Sequence, residues 1–225
     1  MASRVSKWPF VQQHGAAVIA LGRVDATYPE LLPSEQPLTD GTVRARTREI
    51  LAGRNLARLA MTALGQEPRE VLTAENGSPK WPDGLCGSIS HSSHFAVAAL
   101  APLTELESIG IDIDDGRPLE SSLGDVVTAN ELSALQVRWP TATRDVLGRI
   151  AFSAKEAIYK CQAPVTGNVG LGFLDIELAV DGSGHLVAMP TTAGELAHHR
   201  MRVIMLQIQG VNLLLALLPR TRLGK

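Results

Sequence analysis

Cysteine is scarce in this chain: its 225 residues include only Cys86 and Cys161. Neither sits in a Cys-x-x-Cys pair, which argues against a zinc ribbon and against a disulfide framework. Both read as small buried hydrophobes. Aromatic residues are scarce too, at 4%, so a core has to be assembled from Leu, Ile, Val and Ala. Charge of one sign is also lacking. With 21 Lys and Arg against 23 Asp and Glu, the chain has none of the basic excess by which nucleic-acid binders hold a phosphate backbone. No nucleic-acid partner is expected, and any bound anion must be met by a local basic cluster. Long apolar runs are missing. The longest, residues 211–218, is interrupted by Asn212 and is too short to cross a bilayer. Arg4 and Lys7 are followed by Gln12, Gln13 and His14 rather than by an apolar stretch, so neither a signal peptide nor a membrane partner is expected. The expected location is the cytoplasm. What remains is an ordinary globular balance, long enough for one large domain or two small halves.

Hydrophobic periodicity places a strand at residues 16–21 and a Pro-rich, acidic loop at 27–40. A helix follows over 43–64, stopped by Gly65. Residues 77–87 read as an ordered loop. Strands at 95–100 and 108–114 are expected to form a hairpin across 101–107. Helices are expected from about Thr128 and over 144–161. Strands at 175–180 and 185–188 flank a Gly-rich turn, a short helix is expected at 195–199, and strands at 203–207 and 211–217 finish the chain. Helices lie between groups of strands without regular βαβ alternation, which argues for an α+β fold.

Five segments carry chemistry. In Ile109-Gly110-Ile111-Asp112-Ile113-Asp114 a strand sends the isoleucines into a core and both aspartates to the other face, about 7 Å apart. Carboxylates so close repel unless a cation lies between them, and magnesium takes one or two carboxylates plus substrate phosphates. The same alternation also describes the wet face of an amphipathic strand. In Phe152-Ser153-Ala154-Lys155-Glu156-Ala157-Ile158-Tyr159-Lys160, Glu156 and Lys160 share a helix face. They read either as a third carboxylate and a cation of a metal–diphosphate site or as an exposed ion pair. Gly87-Ser88-Ile89-Ser90-His91 lacks the second glycine of a nucleophile elbow. His91 there reads as a phosphate ligand or as a loop histidine with a local hydrogen bond. Arg44, Arg48, Arg54 and Arg58 fall within about 120° on a helix, a basic face that is either solvated or suited to phosphate. Thr128-Ala129-Asn130-Glu131 fits a capping box, and Glu131 doubles as a candidate general base.

Together these segments resemble the 4′-phosphopantetheinyl transferases of the pseudodimeric surfactin- and enterobactin-synthetase type. The resemblance rests on the Gly110–Asp114 strand followed about 40 residues later by the Ser153–Lys160 helix, with Ser90-His91 ahead of both. Leu51-Ala52-Gly53-Arg54 with Ala57-Arg58, and Gly77-Ser78-Pro79-Lys80-Trp81-Pro82, resemble the enterobactin branch. The resemblance implies two similar α+β halves, residues 1–104 on the coenzyme A nucleotide side and 105–225 carrying metal and catalysis, with coenzyme A in the cleft between them. It implies Mg²⁺, with Mn²⁺ as a substitute, on Asp112, Asp114 and Glu156. Lys160, Lys155 and Ser90 are implied on coenzyme A, Lys160 at its diphosphate, and His91 at its 3′-phosphate. Arg54 is implied at the nucleotide end, with Arg48 and Arg58 as further candidates. Lys80 stands in for a basic residue whose place Ser78 takes. Glu131, Glu156 and Lys160 would be catalytic. The implied reaction, carried out by a monomer, moves phosphopantetheine onto a serine of an acyl or peptidyl carrier protein of a fatty-acid, polyketide or nonribosomal-peptide synthase, as in secondary metabolism, and releases 3′,5′-ADP. Asp114 stands where the family often has Glu. It is one methylene shorter, so its metal contact is expected through water. The same acids would also serve a metal-dependent hydrolase of the coenzyme A diphosphate, and the same pocket a coenzyme A-binding module without catalysis.

Overall fold

The computed structural model describes residues 8–119, 123–167, 170–190 and 201–220. Strands β1 (Phe10–His14) and β2 (Ala17–Arg23) lead through a loop into helix α1 (Arg44–Ala63). The short β3 (Leu72–Thr73) and β4 (Pro79–Lys80) follow, then β5 (Leu85–His91) and β6 (Phe95–Pro102). Next come β7 (Leu106–Asp114), α2 (Leu123–Val126), α3 (Ala129–Arg138) and α4 (Arg144–Thr166). Strands β8 (Ile176–Val180), β9 (Leu186–Pro190), β10 (Arg202–Ile208) and β11 (Val211–Pro219) close the order. One large sheet runs β1-β2-β6-β5, the other β7-β11-β10-β9-β8, β3 and β4 pair as a separate two-stranded sheet, and every pairing is antiparallel. The fold is α+β.

The layers follow from which face each strand buries. Val18, Ala20, Ala96, Ala98 and Leu100 meet Leu56, Ala57, Ala60 and Met61 of α1. The alternate residues Ala17, Ile19, Val97 and Ala99 meet Ile109, Ile111, Ile113, Leu213 and Leu215 of the second sheet. On that sheet's far face, Leu214 and Ala216 pack with Leu147, Ile150, Ala154 and Ile158 of α4. The order is helix, sheet, sheet, helix. Burying each isoleucine of β7 contributes about 1.5–3 kcal/mol. Each of the three cores holds one tryptophan at its margin: Trp139, Trp8 and Trp81. Trp8 packs tilted against Phe95 at 5.4 Å between centroids.

The structure departs from the sequence reading in several places, the short β3 and α2 among them. Strands β6 and β7 do not pair as a hairpin: the turn between them switches sheets, and β7 pairs with β11. Both strands are buried on both faces, which a sheet crossing achieves by placing them across the central core. Second, the loop expected at 77–87 holds β4 and runs into β5, which spans Leu85–His91 despite Gly87, Ser88 and Ser90, weak strand formers. Third, β1 precedes the first expected strand. The helix expected at 195–199 lies outside the described residues. No helix among the described residues is long and apolar enough to cross a membrane.

Candidate active site

The site begins with a missing side chain. Gly110 lies on the face of β7 that meets α4, where an added Cβ would collide with the carbonyl of Ala157. The absence of a Cβ lets α4 press onto the strand, and that contact carries Glu156 and Lys160 up to Asp112. Lys160 Nζ donates to Asp112 Oδ1 at 2.7 Å and lies 3.2 Å from Ser90 Oγ. Ser90 Oγ donates to the same carboxylate oxygen at 2.7 Å. Two residues earlier, Ser88 Oγ accepts the Ile111 N–H at 3.1 Å. The Ser-x-Ser pattern of β5 therefore fastens one sheet to the edge of the other through hydroxyls, with Ser88 and Ser90 both buried.

Glu156 is half-buried beside this knot. Burial pushes its carboxyl above the ordinary value; Lys160 pulls it back down, and Asp112 adds to the rise. The carboxylates open on a cavity of about 660 Å³ with His91 from β5, Asp112 and Asp114 from β7, and Arg149, Ser153 and Glu156 from α4 on its wall. Asp114 is differently placed. Its Oδ1 accepts the Gly116 N–H at 3.0 Å and Arg149 Nε at 3.2 Å. Among the described residues, no three His, Cys, Asp or Glu side chains gather as a metal cluster.

His91 stands at the end of β5 with 35% of its side chain exposed. Arg46 Nη1 donates to its Nε2 at 2.6 Å, and Glu49 lies 3.5 Å from its Nδ1. A guanidinium has no acceptor, so the ring proton sits on Nδ1 facing Glu49. Burial pulls the ring below its ordinary value, Glu49 pushes it up, and Arg46 and Lys160 push it down. The ring thus stands between two cations, Arg46 and Lys160, and the carboxylates of Glu49 and Asp112.

The other arginines of α1 part company. Arg46, which the sequence reading passed over, is the one at His91. Arg48 is exposed on the Asp25 side. Arg54 is buried, with Nη2 donating to Thr73 Oγ1 at 3.2 Å and Nε without a hydrogen-bond partner among the described residues. Arg58 is committed to Glu35 at 2.6 and 2.8 Å. Glu35, itself fully buried, also takes the N–H groups of Val71 and Leu32. That pair ties two loops to α1. Ser78 lines a smaller cavity of about 260 Å³ with Trp81, Gly87, Tyr159 and Lys160. Lys80 is exposed on β4.

Glu131 and Lys155 lie away from the large cavity. Glu131 completes a capping box with Thr128, its Oε2 taking the Thr128 N–H at 2.7 Å and its Oε1 the Leu178 N–H at 2.8 Å. Lys155 Nζ reaches Glu131 Oε1 at 2.7 Å and the carbonyls of Val126 and Phe173 at 2.8 Å each. Both residues are 1% exposed. Burial pulls the ammonium down and Glu131 pushes it back up. All three donors of the ammonium are used, so the pair joins α2, α3, α4 and β8. Arg149 also escaped the sequence reading. Its spacing to Ser153, Glu156 and Lys160 is that of one helix stripe, a signal that would have found it.

A family model described as the 4′-phosphopantetheinyl transferase N-terminal domain matches residues 34–101. The chain is 36% identical to 4′-phosphopantetheinyl transferase Svp of Streptomyces mobaraensis over 155 residues, 67% of this chain and 61% of that protein. It is 33% identical to enterobactin synthase component D of Salmonella typhi over 123 residues, 52% of this chain and 48% of that protein. The match thus spans less than two thirds of Svp and about half of the enterobactin protein. With 4′-phosphopantetheinyl transferase Npt of Nocardia iowensis it shares 34% identity over 159 residues, 68% of this chain and 69% of Npt. On that breadth of likeness, the chain belongs to the 4′-phosphopantetheinyl transferase family.

Proposed function

We propose that this protein transfers the 4′-phosphopantetheine arm of coenzyme A to a serine of an apo carrier protein, releasing 3′,5′-ADP. One observation carries the reading: Asp112 of the second sheet, Ser90 and His91 of the first, and Glu156 and Lys160 of α4 converge where the two sheets meet. Residues 1–104 then supply the nucleotide side and 105–225 the reacting side. The acceptors are acyl or peptidyl carrier domains of fatty-acid, polyketide or nonribosomal-peptide synthases, secondary metabolism included. The protein acts as a cytoplasmic monomer.

The residues fit a divalent cation. Asp112 and Glu156 are hard oxygen donors at the cavity; burial first, and the neighbouring Asp112 in smaller part, hold the Glu156 carboxyl above its ordinary value, and a bound cation would favour its charged form. Asp112 and Glu156 would hold Mg²⁺ or Mn²⁺, with diphosphate oxygens completing the shell. When bound, the ion supplies charge neutralisation on the diphosphate. Lys160 exchanges its bond to Asp112 for one to the same diphosphate, where charge develops. His91 and Arg46 face the 3′-phosphate, and Arg54 lies deeper in the same half. The carrier serine oxygen attacks the β-phosphorus, the bond to the bridging oxygen breaks, and 3′,5′-ADP leaves with that electron pair. The serine proton passes to a cavity carboxylate, for which Glu156 is the candidate by position. Glu131 and Lys155 enter as the anchor of α4 rather than as base and ligand.

Intact-mass measurement of an apo carrier protein incubated with this protein, coenzyme A and Mg²⁺ tests the reading. The expected result is a gain of one phosphopantetheine, abolished by EDTA. Consumption of coenzyme A without any gain on a panel of carriers would replace it with hydrolysis of the diphosphate. Binding without turnover would leave a coenzyme A-binding module.

A further inference from the structure

Asp112 and Asp114 leave the same face of β7, yet their surroundings differ. Asp112 faces the cavity, with Lys160 and Ser90 both on Oδ1. The Asp114 side chain is 3% exposed and takes bonds from three donors. Gly116 N–H and Arg149 Nε share Oδ1 at 3.0 and 3.2 Å. Asn212 Nδ2 lies 3.5 Å from Oδ2 and comes from the residue directly opposite on β11. Arg149 is gripped on its other side by Asp145, one turn earlier on α4. We propose that Arg149 is the resident cation of Asp114 and withdraws this carboxylate from the metal, leaving Asp112 and Glu156 as its protein ligands. Asp114 is then a positioning residue that fixes the Arg149 guanidinium in the cavity wall.

Three arguments support this assignment, which rests on the reading of the cavity as a divalent-metal site. Magnesium bound beside a diphosphate needs only one or two carboxylates. Moving Asp114 to the ion would strip a largely buried guanidinium, 15% exposed, of one of its two acids, a costly change at low dielectric. The aspartate side chain, a methylene shorter than glutamate, keeps its oxygens beside the strand, within reach of Gly116 and Asn212.

Mn²⁺ titration in the presence of coenzyme A, followed by the electron paramagnetic resonance of the free ion, decides it. Asp112→Asn should weaken Mn²⁺ binding at least about tenfold, and Asp114→Asn should change it by less than about threefold. Arg149→Met should tighten it, because Asp114 is released, and the gain should vanish when Asp114→Asn is added. A loss at Asp114→Asn equal to that at Asp112→Asn, or no tightening at Arg149→Met, overturns the assignment. If Asp112→Asn leaves Mn²⁺ binding unchanged, the metal reading itself fails and the assignment falls with it. Should Asp114→Asn fail to fold, as judged by circular dichroism, Arg149→Met against the unaltered protein decides alone.

Discussion

Single side chains set the character of the cavity. Asp112→Ala or Glu156→Ala is expected to lower carrier modification at least about a hundredfold; Glu156→Ala should change the melting temperature little, whereas Asp112→Ala should lower it, because Ser90 and Lys160 lose their shared acceptor. Arg46→Ala tests the His91 cluster. A charge-assisted bond contributes about 1.5–3 kcal/mol, so the variant should bind coenzyme A some tenfold or more weakly. Affinity for the analogue lacking the 3′-phosphate should barely change; equal losses on both would remove Arg46 from that phosphate. Gly110→Ala is expected to destabilise by about 1–3 kcal/mol or more. Urea unfolding would measure it, and lost activity should accompany it because α4 is pushed off β7.

Among elements, the joint between α3, α4 and β8 depends on two buried charges. Lys155→Met strands the Glu131 carboxylate and should cost about 3–5 kcal/mol. Adding Glu131→Gln should recover much of that loss, since the uncompensated charge disappears. A base in the reaction would instead show normal stability and lost turnover when Glu131 alone is changed. Much of this architecture was legible in the sequence. Alternation marked β7, a short apolar run marked β11, the apolar stripe marked α1, and the capping box at Thr128 is present in the structure. Strand β5 was not legible: its serines serve the clasp onto β7 and its glycine makes room for Trp81, so the period-two signal is absent. The sheet switch between β6 and β7 was equally hidden, because a short turn between apolar strands reads the same within a sheet as across two. At the site, residue types in known motifs were visible. Arg46 and Asn212 were not, since their contacts with His91 and Asp114 are made between elements distant in sequence; Arg149 was overlooked although it shares a helix stripe with Ser153, Glu156 and Lys160.

At the scale of the whole molecule, the two thiols impose a pH dependence. Burial pushes Cys86 up to about 11 and Cys161 up to about 12, from an ordinary 9.0. Above pH 9 the unfolded chain has released protons that the native chain keeps, so unfolding becomes easier as pH rises. The loss is about 1.4 kcal/mol per pH unit for each thiol. Urea midpoints between pH 8 and 10.5 should fall accordingly, and Cys161→Ala should flatten the slope; a slope unchanged by that substitution would remove Cys161 as its source. The three tryptophans, one at the margin of each core, have a consequence of another kind. With so few indoles, intrinsic fluorescence separates by layer: Trp81 for α1 against the first sheet, Trp8 for the space between the sheets, Trp139 for the α3–α4 side. Variants retaining one indole apiece would emit from one layer only. If all three signals are lost at the same temperature, the four layers melt as one body; staggered losses would identify the layer that opens first.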